Sequence, residues 1–333
     1  MMRSPQVTPT VAGSRIVGVG AYRPSRTVRN AELAGRINSS DEWIRRRSGI
    51  TARRFAAPDE TVVSMAVGAS LKALAQAGVA ADEVDMVLLA TMSHLEQSPA
   101  AAPQIAHLLG ARNAGAIDVS AACAGFCYAL ALADSLVRTG VCRSVLVVGS
   151  EKMSDIVDPQ DRGTAFLFGD GAGAVVVGPA ATPGIGPVVW ATDGEHRDLI
   201  MHSASWLALR DEQVPWPTLR MNGSSVYRWA VRTVPQVGRQ ALAAAKVELS
   251  DLAAFIPHQA NLRIIDSAAA ALRLPPHVAV ARDVIDAGNT SAASIPLAME
   301  RMIATGAVES GGLALLVGFG GGLTHAAMVV TLP

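Results

Sequence analysis

The chain has 333 residues, half of them hydrophobic and 17% charged, and its 28 basic and 28 acidic side chains leave a formal net charge of zero. That length holds two domains or one large duplicated unit, and the charge balance speaks against a nucleic-acid binder. Three cysteines without CxxC spacing argue against a disulfide framework or a structural zinc site, and no apolar run reaches the ~18–20 residues of a membrane span.

In chain order, the N-terminal "MMRSPQVTPTVAGSR" has no long apolar core and reads as no signal peptide, so a cytoplasmic protein is expected. "GVGAYRP" from Gly18 lacks a third glycine and meets Pro24 where a dinucleotide-binding loop would open a helix. In "DEWIRRRSG", Trp43 reads as an apolar anchor. "LAQAGVAADEVDMVLLAT" from Leu74 gives a helix end, a turn and a buried strand.

"DVSAACAGFCYALALADSLVRTG" from Asp118 places Cys123 at the head of a helical pattern, among alanines and glycine. Two readings compete there: a small buried hydrophobe, or a nucleophile whose thiolate the helix N-terminus favours. Cys127, one turn on, reads as core, and Cys142 carries no functional signal. "GDGAGA" from Gly169 feeds a β-branched strand, which a phosphate loop would not. Residues 179–220 fall outside the clean duplication and read as loops and a lid near the substrate path, of a conformation the sequence does not fix.

The second half repeats the grammar of the first. "LAAAKVELSDLAAFIPHQ" from Leu242 answers the stretch from Leu74, and "MIATG" ending at Gly306 answers "LVRTG" ending at Gly140. "LALLVGF" answers "SVLVVGS", with Gly318 opposite Gly149, and "FGGGLTHAAMVV" from Phe319 answers "FGDGAGAVVVG" from Phe168. Such recurrence in one order predicts a duplicated α/β unit, divided at 1–178 and 179–333. Its strands are apolar on both faces, as strands covered by helices are.

The spacing of the matched helix ends carries Cys123 onto Asn289, in "AGNTSAASIPLAMERM", again a small-residue turn opening a helix. His258 follows a strand in "FIPHQANLRII". Packed face to face, the halves would bring Cys123, His258 and Asn289 together, a set suited to acyl transfer. In a hydrolase the histidine takes the thiol proton and the asparagine orients the ring. In a decarboxylating condensing enzyme both donate to a thioester oxygen and stabilise the enolate. "GFGGG" from Gly318 lets main chain approach a substrate closely. The other histidines, His94, His107, His196, His202, His277 and His325, show no metal spacing.

The motifs "SSDEWIRRRSGI", "SAACAGF", "DRGTAFLFGDGAGA", "PHQANLRI", "GNTSAAS" and "GFGGG" occur in order along almost the whole chain. With them the sequence resembles the β-ketoacyl-acyl-carrier-protein synthase III family of the thiolase superfamily, in its actinobacterial form. The resemblance implies a thiolase-like duplicated αβαβα fold, a homodimer, and no metal, flavin or nicotinamide cofactor. Cys123 would accept the acyl group of an acyl-CoA primer, and His258 and Asn289 would assist decarboxylation of malonyl-acyl-carrier protein. Backbone N–H groups of Cys123 and Gly321 would form the oxyanion hole, with Phe319 against the nucleophile.

The resemblance also assigns arms. Trp43 and Arg162 would sandwich the adenine of coenzyme A, with Arg47 near the phosphates. Met221, Gly223, Tyr227, Ala260 and Asn261 would line the pantetheine path. Gln259, Arg263 and Arg228, with Arg232 nearby, would meet the acidic carrier protein. Ser98, reaching into the partner subunit's acyl pocket, is small where a phenylalanine would cap it, so branched or medium primers are expected. Phe168 is a second wall. The nearest alternatives are a starter-unit priming synthase or acyltransferase of a polyketide pathway, then a cysteine hydrolase, then a silent dimer partner.

Overall fold

A computed structural model describes residues 10–211 and 213–333. Most of the N-terminal stretch read as lacking a signal peptide lies outside these residues. The first half runs β1 (Gly13–Tyr22), α1 (Val62–Ala77), β2 (Met86–Ala90), α2 (Ala101–Leu109), β3 (Gly115–Val119), α3 (Gly125–Arg138), β4 (Val145–Glu151) and β5 (Gly171–Ala180). The second runs β6 (Val189–Thr192), α4 (Gly223–Ala245), β7 (Leu252–Pro257), α5 (Leu262–Leu272), β8 (Ala279–Val280), α6 (Ser294–Ala304), β9 (Leu313–Gly320) and β10 (Thr324–Thr331).

Each half builds a five-stranded sheet in the same way. The first has the order β1-β5-β4-β2-β3, and the second β6-β10-β9-β7-β8. Both pair two antiparallel strands outside a parallel trio. The expected duplication is therefore present at the level of topology.

Alternation along the strands explains the layering. Val145 and Val147 of β4 face a core shared with Leu130 of α3, Ile295 of α6, and Ile256 and Leu316 of the other sheet. Leu146 and Val148 face outward onto Met65 of α1 and Ile105 of α2. The second sheet likewise turns Leu315 and Val317 onto Val237 of α4 and Ile264 of α5. Both faces of both sheets are thus covered, which is why the strands read as continuous apolar runs. Helices α3 and α6 form the central layer. Among the described residues no helix is long and apolar enough to cross a membrane.

The central helices start close to strand glycines. A Cβ on Gly149 of β4 would overlap Ala292 O and stand 3.0 Å from Ala293 Cα, at the head of α6. A Cβ on Gly318 of β9 would stand 3.1 Å from Ala124 Cα and from Cys127 Sγ, at the head of α3. Gly318 therefore answers Gly149, as the repeat predicts. Two finer pairings differ. Each helix head contains one non-glycine residue at positive φ, Ala122 (45°) and Ser291 (47°). Superposing these sets Cys123 opposite Ala292, not opposite Asn289, because short turns preceding the helices tolerate a register slip that the sequence spacing hides. Phe319 lies inside β9, whereas Phe168 lies in the longer connection between β4 and β5, so those two are not counterparts.

That connection docks on the other half. Asn289 N–H donates to Leu167 O (2.8 Å) and Gly169 N–H donates to Asn289 O (3.0 Å). Replacing Gly149 with alanine should therefore push the head of α6 off β4. Overpacking of this kind costs ~1–3 kcal/mol, so thermal unfolding of Gly149→Ala is expected several degrees below that of the parent chain.

Candidate active site

Cys123 sits in a short turn, Ala122–Ala124, that runs directly into α3. His258 follows β7, its N–H held by Val317 O of β9 (2.8 Å). Asn289 precedes the equivalent turn, Ser291–Ala293, before α6. All three line one chamber of about 40 Å³ together with Ala122, Phe168, Phe319, Gly320 and Gly321. Its remaining wall includes Ile200 and Leu219, from the segment whose conformation the sequence left unfixed, and Met221 just beyond it. That segment closes as an antiparallel pair, Ile200–His202 with Leu219–Met221.

The polar groups are aimed by bonds behind them. His258 Nδ1 lies 2.7 Å from Ser294 Oγ, which also accepts the Gln259 N–H at 3.2 Å. In the tautomer in which the serine hydroxyl donates to Nδ1, Nε2 carries the ring hydrogen. Burial pushes the imidazole down to about 3, and the ring is neutral. Phe319 packs edge-on against it at 5.1 Å. Asn289 Oδ1 accepts the Ser291 N–H at 2.9 Å, which leaves its amide NH2 unclaimed by that contact. Ser294 and Ser291 carry no signal in sequence beyond "GNTSAAS"; only the folded register shows what they touch.

Cys123 is a buried thiol, and burial pushes it up to about 12. Desolvation outweighs the Ser291 contact and the residue's own N–H, both of which lower it. Gly320 gives this sulfur room, since a Cβ there would stand 2.9 Å from Cys123 N and 3.2 Å from Sγ.

A cleft of about 630 Å³ adjoins the chamber, sharing Met221, Val226, Ala260 and Asn289 with it. Trp43, Arg47 and Arg162 line it, as do Gly223, Tyr227 and Asn261, and so do Arg228 and Arg263. Arg162 lies over the Trp43 ring at 4.8 Å and Arg47 at 5.8 Å, while Arg263 lies over Tyr227 at 4.9 Å. Asn261 caps α5 through Arg263 N–H (2.9 Å).

Two residues fall elsewhere. Gln259, expected at a docking surface, is 1% exposed; its Nε2 donates to Pro257 O (2.7 Å) and its Oε1 accepts from Val284 N–H (3.3 Å). It is a core fastener and is removed from the docking set. Ser98 is exposed and lies outside this chain's own chamber. Arg232 is exposed, bonded to Arg228 O. Among the described residues the one cluster with metal-ligand chemistry is Asp193, Glu195 and His196, on an exposed turn where His196 already pairs with Asp193 (2.9 Å).

The duplicated fold, with this chamber at the meeting of its halves, defines an acyl-transferring condensing enzyme of the thiolase fold. Residues 117–194 match 3-oxoacyl-[acyl-carrier-protein] synthase III and residues 242–332 match its C-terminal part; the chain belongs to this family. It is 53% identical to a β-ketoacyl-[acyl-carrier-protein] synthase III of Streptomyces coelicolor, over 96% of each chain. A Mycobacteroides abscessus synthase III is 49% identical over 96% of this chain and 94% of its own. Among solved structures, the priming β-ketosynthase of the R1128 polyketide biosynthetic pathway superposes with a TM-score of 0.97 at 50% identity, covering 99% of both chains.

The neutral His258 yields a direct check. Lowering the pH from about 8 to about 5, a range in which free histidines titrate, should leave its ring 15N resonances in the Nε2–H pattern. Burial holds it at about 3, so the charge appears only well below that window. The exposed His196, whose proton affinity Asp193 raises, is the contrasting ring in the same spectra.

Proposed function

We propose that this chain condenses an acyl-CoA primer with malonyl-acyl-carrier protein through an acyl-Cys123 intermediate, releasing CO2 and a β-ketoacyl-carrier protein that starts a fatty-acid chain. One observation carries the reading: His258 and Asn289 have their inner atoms tied by Ser294 and Ser291, so both turn N–H donors toward the space beside Cys123. Paired donors suit the enolate oxygen left when CO2 departs. They do not suit a hydrolase, whose histidine must accept the thiol proton, because this ring carries its hydrogen at Nε2 and resists a second.

The chemistry then divides between the halves, 1–178 bringing the nucleophile and 179–333 the two donors. Cys123 attacks the primer thioester, and the N–H groups of Cys123 and Gly321 hold the tetrahedral oxyanion. Coenzyme A leaves along the cleft, and malonyl-carrier protein takes its place. His258 Nε2–H and Asn289 NH2 bind the malonyl thioester oxygen during decarboxylation, and the carbanion takes the acyl group. No cofactor enters any step.

In the cleft, Trp43 and Arg162 part to admit the adenine, with Arg47 beside the phosphates. Met221, Gly223, Tyr227, Ala260 and Asn261 enclose pantetheine. The exposed Arg263 and Arg228 at the mouth meet the acidic carrier, and Phe168 and Phe319 wall the acyl end. Ser98 reaches a partner subunit's pocket in a cytoplasmic homodimer that binds neither nucleic acid nor membrane. A second reading is favoured by the 0.97 likeness to a priming ketosynthase of polyketide synthesis: the same condensation, feeding a polyketide starter.

Intact-mass spectrometry after mixing with acetyl-, isobutyryl- and longer acyl-CoAs should show one acyl adduct, absent in Cys123→Ala, with branched primers accepted. His258→Ala and Asn289→Ala should still acylate but lose decarboxylation of malonyl-carrier protein by about 10²–10³-fold. Loss of acylation with retained CO2 release would refute the assignment. Trp43→Ala should raise the acyl-CoA KM several-fold with kcat little changed, as loss of uniform binding does.

A further inference from the structure

Phe168 borders a second cavity, of about 50 Å³, besides the chamber at Cys123. Leu33, Phe55, Val157, Pro159 and Ala165 line it with Phe168, so its wall is almost wholly apolar. Ser154 lines it too, but that residue's hydroxyl and N–H are spent on the Asp170 carboxyl group, at 2.7 and 2.9 Å. Arg36 and Pro159 are exposed and mark the end that opens to solvent. Among the described residues, Phe168 is the one that this cavity shares with the chamber of Cys123, His258 and Asn289. Packing agrees with a shared wall. Phe168 belongs to one apolar cluster with Ile200, Leu219 and Met221 of the chamber and with Val157 and Ala165 of the rear cavity.

We propose that this rear cavity is a subsite for the tail of a longer acyl primer, and that the Phe168 ring is the partition that closes it. This rests on the acyl-Cys123 reading above and adds what sets the length of the primer. The chamber measures about 40 Å³, room for only a few carbon-sized groups beyond the sulfur. An acetyl or isobutyryl group ends within it. An octanoyl chain does not, and its way onward between apolar walls leads past the ring into the rear cavity. An alkyl tail suits that space, because the Ser154 hydrogen bonds are already made and each methylene buried there leaves water.

The partition is anchored beside the catalytic asparagine. Main chain on both sides of Phe168 is bonded to Asn289: Asn289 N–H donates to Leu167 O (2.8 Å), and Gly169 N–H donates to Asn289 O (3.0 Å). A Cβ on Gly169 would overlap Ala287 O, so the backbone has no slack there. Phe166 and Leu167, just before, line the coenzyme A cleft. The boundary between the two cavities is therefore set by the Phe168 side chain, while its backbone holds station. Shortening that side chain joins the cavities and leaves the bonds to Asn289, which are all main chain at this end, in place.

The test is the rate of Cys123 acylation by octanoyl-CoA relative to isobutyryl-CoA, read by quench and intact mass. A general loss of folded protein cancels in that ratio. Phe168→Ala should raise it by about 10–10²-fold, the range over which apolar pockets discriminate methylene groups, and the milder Phe168→Leu should raise it less. Adding Val157→Phe, which fills the rear cavity, should return the Phe168→Ala ratio to near the parent value. An unchanged ratio in Phe168→Ala would overturn the proposal. So would a gain that survives Val157→Phe, or one that Ser98→Phe alone removes, since the tail would then stay in the chamber or follow the subunit boundary. If the parent forms no acyl-Cys123 with any primer, the condensation reading falls and the subsite with it. Isobutyryl transfer with a ratio that ignores Phe168 sinks the subsite alone.

Discussion

The site depends on how near two helix heads come to the strands that seat them. Gly149 and Gly318 hold equivalent places in β4 and β9, and each accepts the head of the other half's central helix where a side chain would collide. This contact fixes Cys123 over the second half's strand and Ala292 over the first half's. Two residues further along each strand the halves diverge. Gly320 follows Gly318 and leaves space at the Cys123 nitrogen and sulfur. Glu151 follows Gly149, and its carboxylate takes the Ala292 N–H at the matching head. A duplicated frame thus offers two equivalent helix heads, and one side chain against none decides which becomes a reaction chamber and which becomes its support.

The cleft wall is held by a separate chain of contacts that begins in a small hairpin. Arg53 is buried without a carboxylate in direct contact; it donates to Phe166 O (2.6 Å) and to Asn30 Oδ1 (2.9 Å), and burial brings it down to about 10. Asn30 in turn donates to Asp41 Oδ1 (2.7 Å), at the start of the helix Asp41–Ser48 that carries Trp43. Trp43 meets Phe166 edge-on at 5.1 Å. One cation therefore spans both sides of the aromatic slot. Removing such a group strands several buried acceptors at once, which costs more than the loss of any one bond.

Much of this was legible in the sequence because it follows from local pattern. Apolar strands between alanine-rich helices and the recurring glycines foretold the doubled fold, and small-residue turns before helices located Cys123 and Asn289. What escaped was what depends on register. The helix heads match through Ala122 and Ser291, a pairing set by backbone at positive φ that spacing alone misaligns. Gln259 looked like surface beside Arg263, but α5 begins after Asn261 and turns only the residues beyond the cap outward, leaving Gln259 under the chain. Glu151 and Ser294 gave no warning, since a strand-end glutamate and a helical serine are ordinary until their partners are known.

Burial acts on the chamber's two titratable groups, and on Glu151 behind it, in one consistent direction, toward the uncharged form. It raises Cys123, raises Glu151 and lowers His258. Five donors converge on the Glu151 carboxyl group and oppose that shift, so the chamber holds a thiol and a neutral imidazole, with the carboxyl group set back behind them. That arrangement answers a difficulty of two-substrate chemistry. A thiolate would react with whatever entered, whereas a buried thiol keeps its proton until a substrate is in place. A neutral imidazole, for its part, can meet a developing enolate without first having to lose a proton to it. The charge that the reaction needs is created during the reaction, in a chamber walled mostly by apolar side chains.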